Sequence, residues 1–269
     1  MVQDAAWAVA RVAAFIRLVA VCSRNVREVG PGRDEIDELK ERLTSALVVY
    51  QRNARTAAIW ADASWLDACI GSAADGGDAA LSRLRATLST RGEGPIASVS
   101  LALLRSLEVA PVALSRLVGP QWSSLDAVPV DVAVKVLRMR ALIFRRMEVR
   151  RLIDRKSRVA LSEWSGMHID TLVSPHADAP DIALLTRTIR IPPLRALDAH
   201  ALSCEGLALL LRDLNVERPP FTLARLLFSR DLRLPEWPRN IDRALEAQGS
   251  VRLMERLPEW LPEWGWVFG

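Results

Sequence analysis

Side chains able to do chemistry are few in this sequence and poorly spaced for it. The histidines are His168, His176 and His200. His200 and Cys204 stand four apart, which on a helix turns two metal-capable groups to one face. Zinc needs three or four ligands, and no CxxC or HExxH motif supplies the others. Cys22 and Cys69 lie far from Cys204 and from each other. They form no disulfide framework, as expected of a reducing compartment. The sequence contains no Walker-type phosphate loop, no GxGxxG and no GxSxG nucleophile elbow. Asp34, Glu35, Asp37, Glu38 and Glu41 gather at a helix start, where carboxylates complement the helix dipole rather than form an acid–base pair. No catalytic set, metal or cofactor is expected, and the chain reads as non-enzymatic.

What the sequence does offer is arginine and tryptophan. Lys135 to Arg158 holds ten basic residues in 24, against Glu148 and Asp154. On one helix, those two acids reach only some of the arginines by three- and four-residue steps. Each exposed pair adds roughly 0.3–0.5 kcal/mol. Most of the charge is expected to stay uncompensated. One reading is a face for an acidic partner, carried by Arg145, Arg146, Arg150 and Arg151. The other is a solvated face on an arginine-rich protein. Leu161 to Ser174 follows, with Gly166 placed for the turn of a helix-turn-helix. A DNA-binding regulator is the alternative this raises. Against it, the second helix carries no Arg or Lys, and Pro175 cuts it short.

Trp237, Trp260, Trp264 and Trp266 crowd the last 33 residues, and LPEW recurs at Leu234, Leu257 and Leu261. Proline every four residues is expected to keep the tail out of regular helix. Trp260 and Trp264 then either anchor a partner or clasp the protein's own core.

The elements that position these groups read as helix after helix. Ile36, Leu39, Leu43, Leu47 and Tyr50 recur at helical steps after the GPG break at Gly30–Gly32. Val130 to Trp164 has no glycine or proline inside it and reads as one long helix, with Leu142, Val149, Ile153, Ala160 and Trp164 on its apolar face. Gly166 is its expected C-cap. Ile182 to Ile191 is the best strand candidate, although it also fits helix. Leu194 to Leu214 and Thr222 to Leu232 read as helices. The fold class expected is all-α, an irregular multi-helix bundle with at most minor strand content. Residues 1–40 read as an N-terminal extension and 41–269 as one helical domain, with a possible subdivision near 92.

Composition adds exclusions rather than an activity. The chain has 269 residues, 50% hydrophobic and 25% charged, as for a globular protein. A net charge of +4 is too weak to indicate nucleic-acid binding alone. Only Lys40, Lys135 and Lys156 are lysines, so the basic residues are mostly arginine, suited to carboxylate pairing. The apolar stretch Ala5 to Cys22 contains Arg11 and Arg17, which argue against a membrane span. Asp4 argues against a signal peptide. It fits an amphipathic helix or an ordinary one.

Three segments together resemble the SctK proteins of bacterial type III secretion systems, in particular their Hrp-class branch. They are Ala46 to Gly71 (ALVVYQRNARTAAIWADASWLDACIG), Arg138 to Gly166 (RMRALIFRRMEVRRLIDRKSRVALSEWSG) and the closing WGWVFG. The resemblance runs from about Leu43 to the C-terminus. It implies a non-enzymatic, mostly helical adaptor of the cytoplasmic sorting platform. Such an adaptor would link an SctD-like inner-membrane ring protein to an SctQ-like pod protein. It would be held at the membrane only through those partners.

Overall fold

The computed structural model describes residues 33–70, 77–173 and 182–269. The Ala5–Cys22 stretch, Pro175 and His176 lie outside them. The chain divides into two units, residues 1–41 and 42–269. In the first, the described residues open helix α1 (Arg33–Arg55). Asp34 and Glu35 occupy its first turn, and Lys40 pairs with Asp37 at 2.8 Å.

All regular secondary structure among the described residues of the second unit is helical, without a strand, as the periodicity implies. After α1 come α2 (Ala57–Trp60), α3 (Ala63–Ile70), α4 (Gly77–Arg91) and α5 (Glu93–Ser106). Gly92, at φ 88°, makes the turn between α4 and α5 by itself, because a left-handed residue without Cβ reverses the chain in one step. Ala57, Ala58, Ala61, Leu66, Leu81, Leu88 and Leu103 close one apolar cluster over these helices, joined by Leu226.

The long helix expected over Val130–Trp164 is three helices: α6 (Val130–Phe144), α7 (Arg146–Arg151) and α8 (Arg155–Ser165). Arg145 makes the first break, at φ −88° and ψ 13°. Asp154 makes the second by capping α8. Its carboxylate accepts from the N–H of Lys156 and Ser157, and from the Ser157 hydroxyl at 2.6 Å. The Ser157 hydroxyl is the main cause holding the Asp154 carboxyl below its ordinary range. Gly166 ends α8 at φ 75°, as expected. The next helix, α9 (Ile169–Leu172), is a single turn.

Ile182–Ile191, the strand candidate, is one helical turn, α10 (Ile182–Leu185), followed by turns. Its β-branched residues Ile182 and Ile191 are buried as core anchors, not as a sheet face. In α11 (Ala199–Leu214), Asp198 caps the start by accepting from the Ala201 N–H at 2.7 Å, and Asn215 closes the end in a left-handed conformation. The helix expected over Thr222–Leu232 shrinks to a 3₁₀ turn, Ala224–Leu227. Asp126 organises that turn, accepting from Thr222 N–H at 2.7 Å and Ala224 N–H at 2.8 Å. Burial pushes the Asp126 carboxyl upward, and these N–H donors oppose it.

α6 and α11 form the axis of the main core. A Cβ at Gly206 would stand 1.8 Å from the Leu137 carbonyl oxygen, so only glycine admits this backbone approach. Val136, Leu137 and Met139 of α6 and Leu202, Leu207 and Leu210 of α11 are buried around the crossing. The chain finishes with α12 (Trp237–Asn240), α13 (Gly249–Trp260) and α14 (Gly265–Phe268). The proline-rich tail is thus helical, contrary to expectation. Pro258 sits in the last turn of α13, where it forfeits a single intrahelical bond, and Pro262 opens a 3₁₀ turn, where its missing N–H has no partner to lose. Among the described residues, no helix is long and apolar enough to cross a membrane.

Candidate partner-binding surfaces

The arginine-rich segment divides into an interior half and a surface half. Arg145 is 0% exposed. Its Nε donates to Glu205 Oε1 and its Nη2 to Glu205 Oε2 at 2.7 Å, while Nη1 donates to Glu148. Its guanidinium also lies 5.7 Å from the Trp237 ring centroid, in range of a cation–π contact. Arg146 is buried too, donating to Glu246 and to the Ile143 carbonyl. Arg140 reaches Asp213 at 2.7 Å and Glu246 at 3.1 Å, and Arg212 grips Asp213 from the other side. Ser250 donates its hydroxyl to Asp213 and accepts from Arg140 Nε at 3.0 Å.

Four guanidinium groups thus meet Glu148, Glu205, Asp213 and Glu246 in formal neutrality. Burial works to neutralise Arg140 and Arg145, but the acids around them outweigh it and hold both above the usual arginine range. Burial pushes Glu205 upward, and the Arg145 hydrogen bond opposes that shift. The expectation of uncompensated, solvent-facing charge is therefore corrected at Arg145 and Arg146. The acids that neutralise most of this charge come from α11 and the segment before α13, beyond the reach of any local spacing rule.

Arg150 and Arg151 remain at the surface. Arg150 donates from Nε and Nη2 to the Val173 carbonyl, at 3.2 and 2.8 Å, and so ties α7 to the end of α9. Ile153, expected on the apolar face of a long helix, is 93% exposed in the elbow between α7 and α8. The would-be recognition helix turns inward: Ile169, Leu172 and Val173 are buried, and its exposed residues include Asp170, which is ion-paired to Arg158. This helix offers a DNA groove an acid and no Arg or Lys for phosphate or guanine.

The tail is a clasp. Val267 and Phe268 are buried in the main core, with Trp260, Trp264 and Trp266 half-buried against it. The Gly119 N–H donates to the Val267 carbonyl at 2.7 Å. Arg42 donates to the carbonyls of Trp266, at 2.8 Å, and of Gly269. Trp264 and Trp266 pack in a tilted pair with centroids 6.1 Å apart, both half-buried.

A further surface escaped sequence reading. An open groove of about 780 Å³ runs between the end of α5 and residues 217–239. Leu107, Leu211, Phe221, Leu226 and Leu234 line it with apolar surface, and Arg218, Arg233 and Arg239 stand at its edge with Glu108, Glu217 and Glu236. Trp65 forms one wall. Its indole N–H donates to the Phe228 carbonyl at 2.7 Å, and Arg225 lies 5.1 Å from its ring centroid. Glu108 closes α5 at φ 52°, a left-handed conformation that costs a non-glycine residue about 1–2 kcal/mol. Pro219, Pro220 and Pro235 hold the facing segment out of helix. That proline spacing beside the first LPEW was the one available signal.

Cys204 Sγ lies 3.4 Å from His200 Nε2, but among the described residues no group of three or more His, Cys, Asp or Glu could hold a metal ion. The model of one family, described as bacterial type III secretion protein (HrpB4), matches residues 39–263. The chain belongs to the HrpB4 family. No match was found among curated proteins or among solved structures. The HrpB4 match takes in the buried arginine network, the elbow, the groove and Trp260, and stops short of Trp264. This HrpB4-family member therefore stands among the bacterial type III secretion proteins.

Proposed function

We propose that this HrpB4-family protein is a non-enzymatic adaptor of the type III secretion sorting platform. It joins an SctD-like inner-membrane ring protein to an SctQ-like pod protein from the cytoplasmic side. The observation that carries this reading is the family match over residues 39–263. Two surfaces support it. The groove offers a lining of mixed apolar and charged side chains, the composition of a docking site for a partner segment. The half-buried Trp260 and Trp264 offer aromatic edges of the kind that anchor interfaces.

Affinity capture tests it. The purified protein should retain both the cytoplasmic domain of an SctD-like protein and an SctQ-like protein from the same host, and deletion of its gene should abolish secretion. Capture of neither partner by folded protein, with secretion intact in the deletion strain, would reject the adaptor role.

A further inference from the structure

Among the large hydrophobic residues left exposed, Ile153 stands apart at 93% relative exposure, the next being Val48 at 61%. It occupies the tip of the α7–α8 elbow, Leu152–Asp154. Leu152 turns into the core and Ile153 turns out. Cations follow it closely in sequence. Arg155 and Lys156 follow it at the surface, and neither has an ion-pair partner among the described residues. Arg195 comes close enough to attract the Asp154 carboxylate. Asp154 itself is spent on the N–H groups of α8 and on Ser157. The elbow is thus an exposed apolar tip followed by two exposed cations, with the Asp154 carboxylate turned to its own helix.

We propose that this elbow docks the protein directly on an anionic phospholipid surface. Ile153 enters the headgroup layer, and Arg155, Lys156 and Arg195 pair with lipid phosphates. Charge complementarity selects an anionic occupant. The shape of the tip selects lipid over protein. A stable protein interface needs about 800 Å² per partner with a packed apolar centre, whereas one protruding side chain supplies little of that. A bilayer needs no preformed pocket, and a lone apolar side chain beside cations gives it weak, reversible adhesion. None of Ile153, Arg155, Lys156 and Arg195 lines the groove.

Vesicle flotation of the full chain tests this. Vesicles of mixed phosphatidylglycerol and phosphatidylcholine should carry the protein upward at low salt, and pure phosphatidylcholine vesicles should not. Added salt should release it. Ile153→Ser should weaken the partition by about tenfold, and Arg155→Glu with Lys156→Glu by at least about tenfold. All these side chains are exposed, so circular dichroism should stay unchanged. Reversing Arg230 and Arg233, a charge-matched control at the groove side, should change partition by less than about twofold if the elbow is the specific contact. Absence of anionic-vesicle binding overturns the proposal. So does binding that ignores the elbow substitutions. If those substitutions abolish capture of a protein partner and leave flotation intact, the elbow is a protein contact and the lipid assignment falls.

Discussion

Arg145 and Glu205 face each other in the protein interior, guanidinium against carboxylate through two hydrogen bonds, with neither side chain in water. They are 60 residues apart in sequence and bind α11 to the junction of α6 and α7. A buried pair of this kind contributes little net stability, but removing one partner strands the other charge. Glu205→Ala should cost about 3–5 kcal/mol in urea unfolding. The apolar double substitution Arg145→Met, Glu205→Leu should recover most of that loss. A loss well below about 3 kcal/mol in Glu205→Ala would mean that Glu148 and Trp237 hold Arg145 in place without Glu205.

Gly206→Ala tests the crossing of α6 and α11. The added Cβ would overlap the Leu137 carbonyl, which is backbone and cannot step aside as a flexible side chain does. The expected loss exceeds the usual overpacking range of about 1–3 kcal/mol. The purified variant should melt far below wild type or fail to fold. Gly94→Ala, where open space surrounds the site, should be tolerated.

Truncation after Arg256 removes Leu257, Val267 and Phe268 from the core together with the half-buried tryptophans. Fully burying each large apolar side chain is worth roughly 1.5–3 kcal/mol, while net stability is typically only about 5–15 kcal/mol. The truncated chain should aggregate or lose its thermal transition. A soluble truncation with the wild-type melting temperature would contradict the clasp.

Leu234→Asp with Arg233→Glu should abolish capture of one platform partner and leave the melting temperature within a few degrees of wild type, since Leu234 is half-exposed and Arg233 exposed. Retention of both partners by this variant would remove the groove from the interface.

Burial pushes the Cys204 thiol up to about 11. At pH 8 the thiolate is therefore scarce and shielded, and native Cys204 should resist iodoacetamide in a mass-spectrometric time course while unfolded protein is alkylated. Rapid labelling at pH 8 in the native state would place the thiol at the surface.

The helical class was legible because apolar residues such as Leu43 and Tyr50 recur at helical steps and both pack on the core. The Gly166 cap was legible for a local reason as well, since glycine alone enters the left-handed region freely. The breaks at Arg145 and Asp154 were not. Arginine is a good helix former, and it leaves helical geometry here because distant acids draw its side chain inward. Asp154 followed by Ser157 is a capping pattern that a continuous apolar stripe conceals. Ile153 was assigned inward for the same reason: once the helix breaks, its phase resets. The groove was illegible because its walls come from residues over 100 positions apart, around a proline-held segment with no periodicity of its own.

The arginine network also fixes an order of events during synthesis. Arg140, Arg145 and Arg146 leave the ribosome well before Glu205, Asp213 and Glu246, their neutralising partners. Until the last third of the chain emerges, α6 has no place to bury them, and its apolar side lies open beside charges that must stay hydrated. The nascent chain therefore passes through a long basic, sticky interval before its centre can close, the interval in which a holding chaperone would act. Stalling translation before residue 205 should leave the segment protease-sensitive, and stalling it with residue 269 clear of the ribosomal tunnel should not.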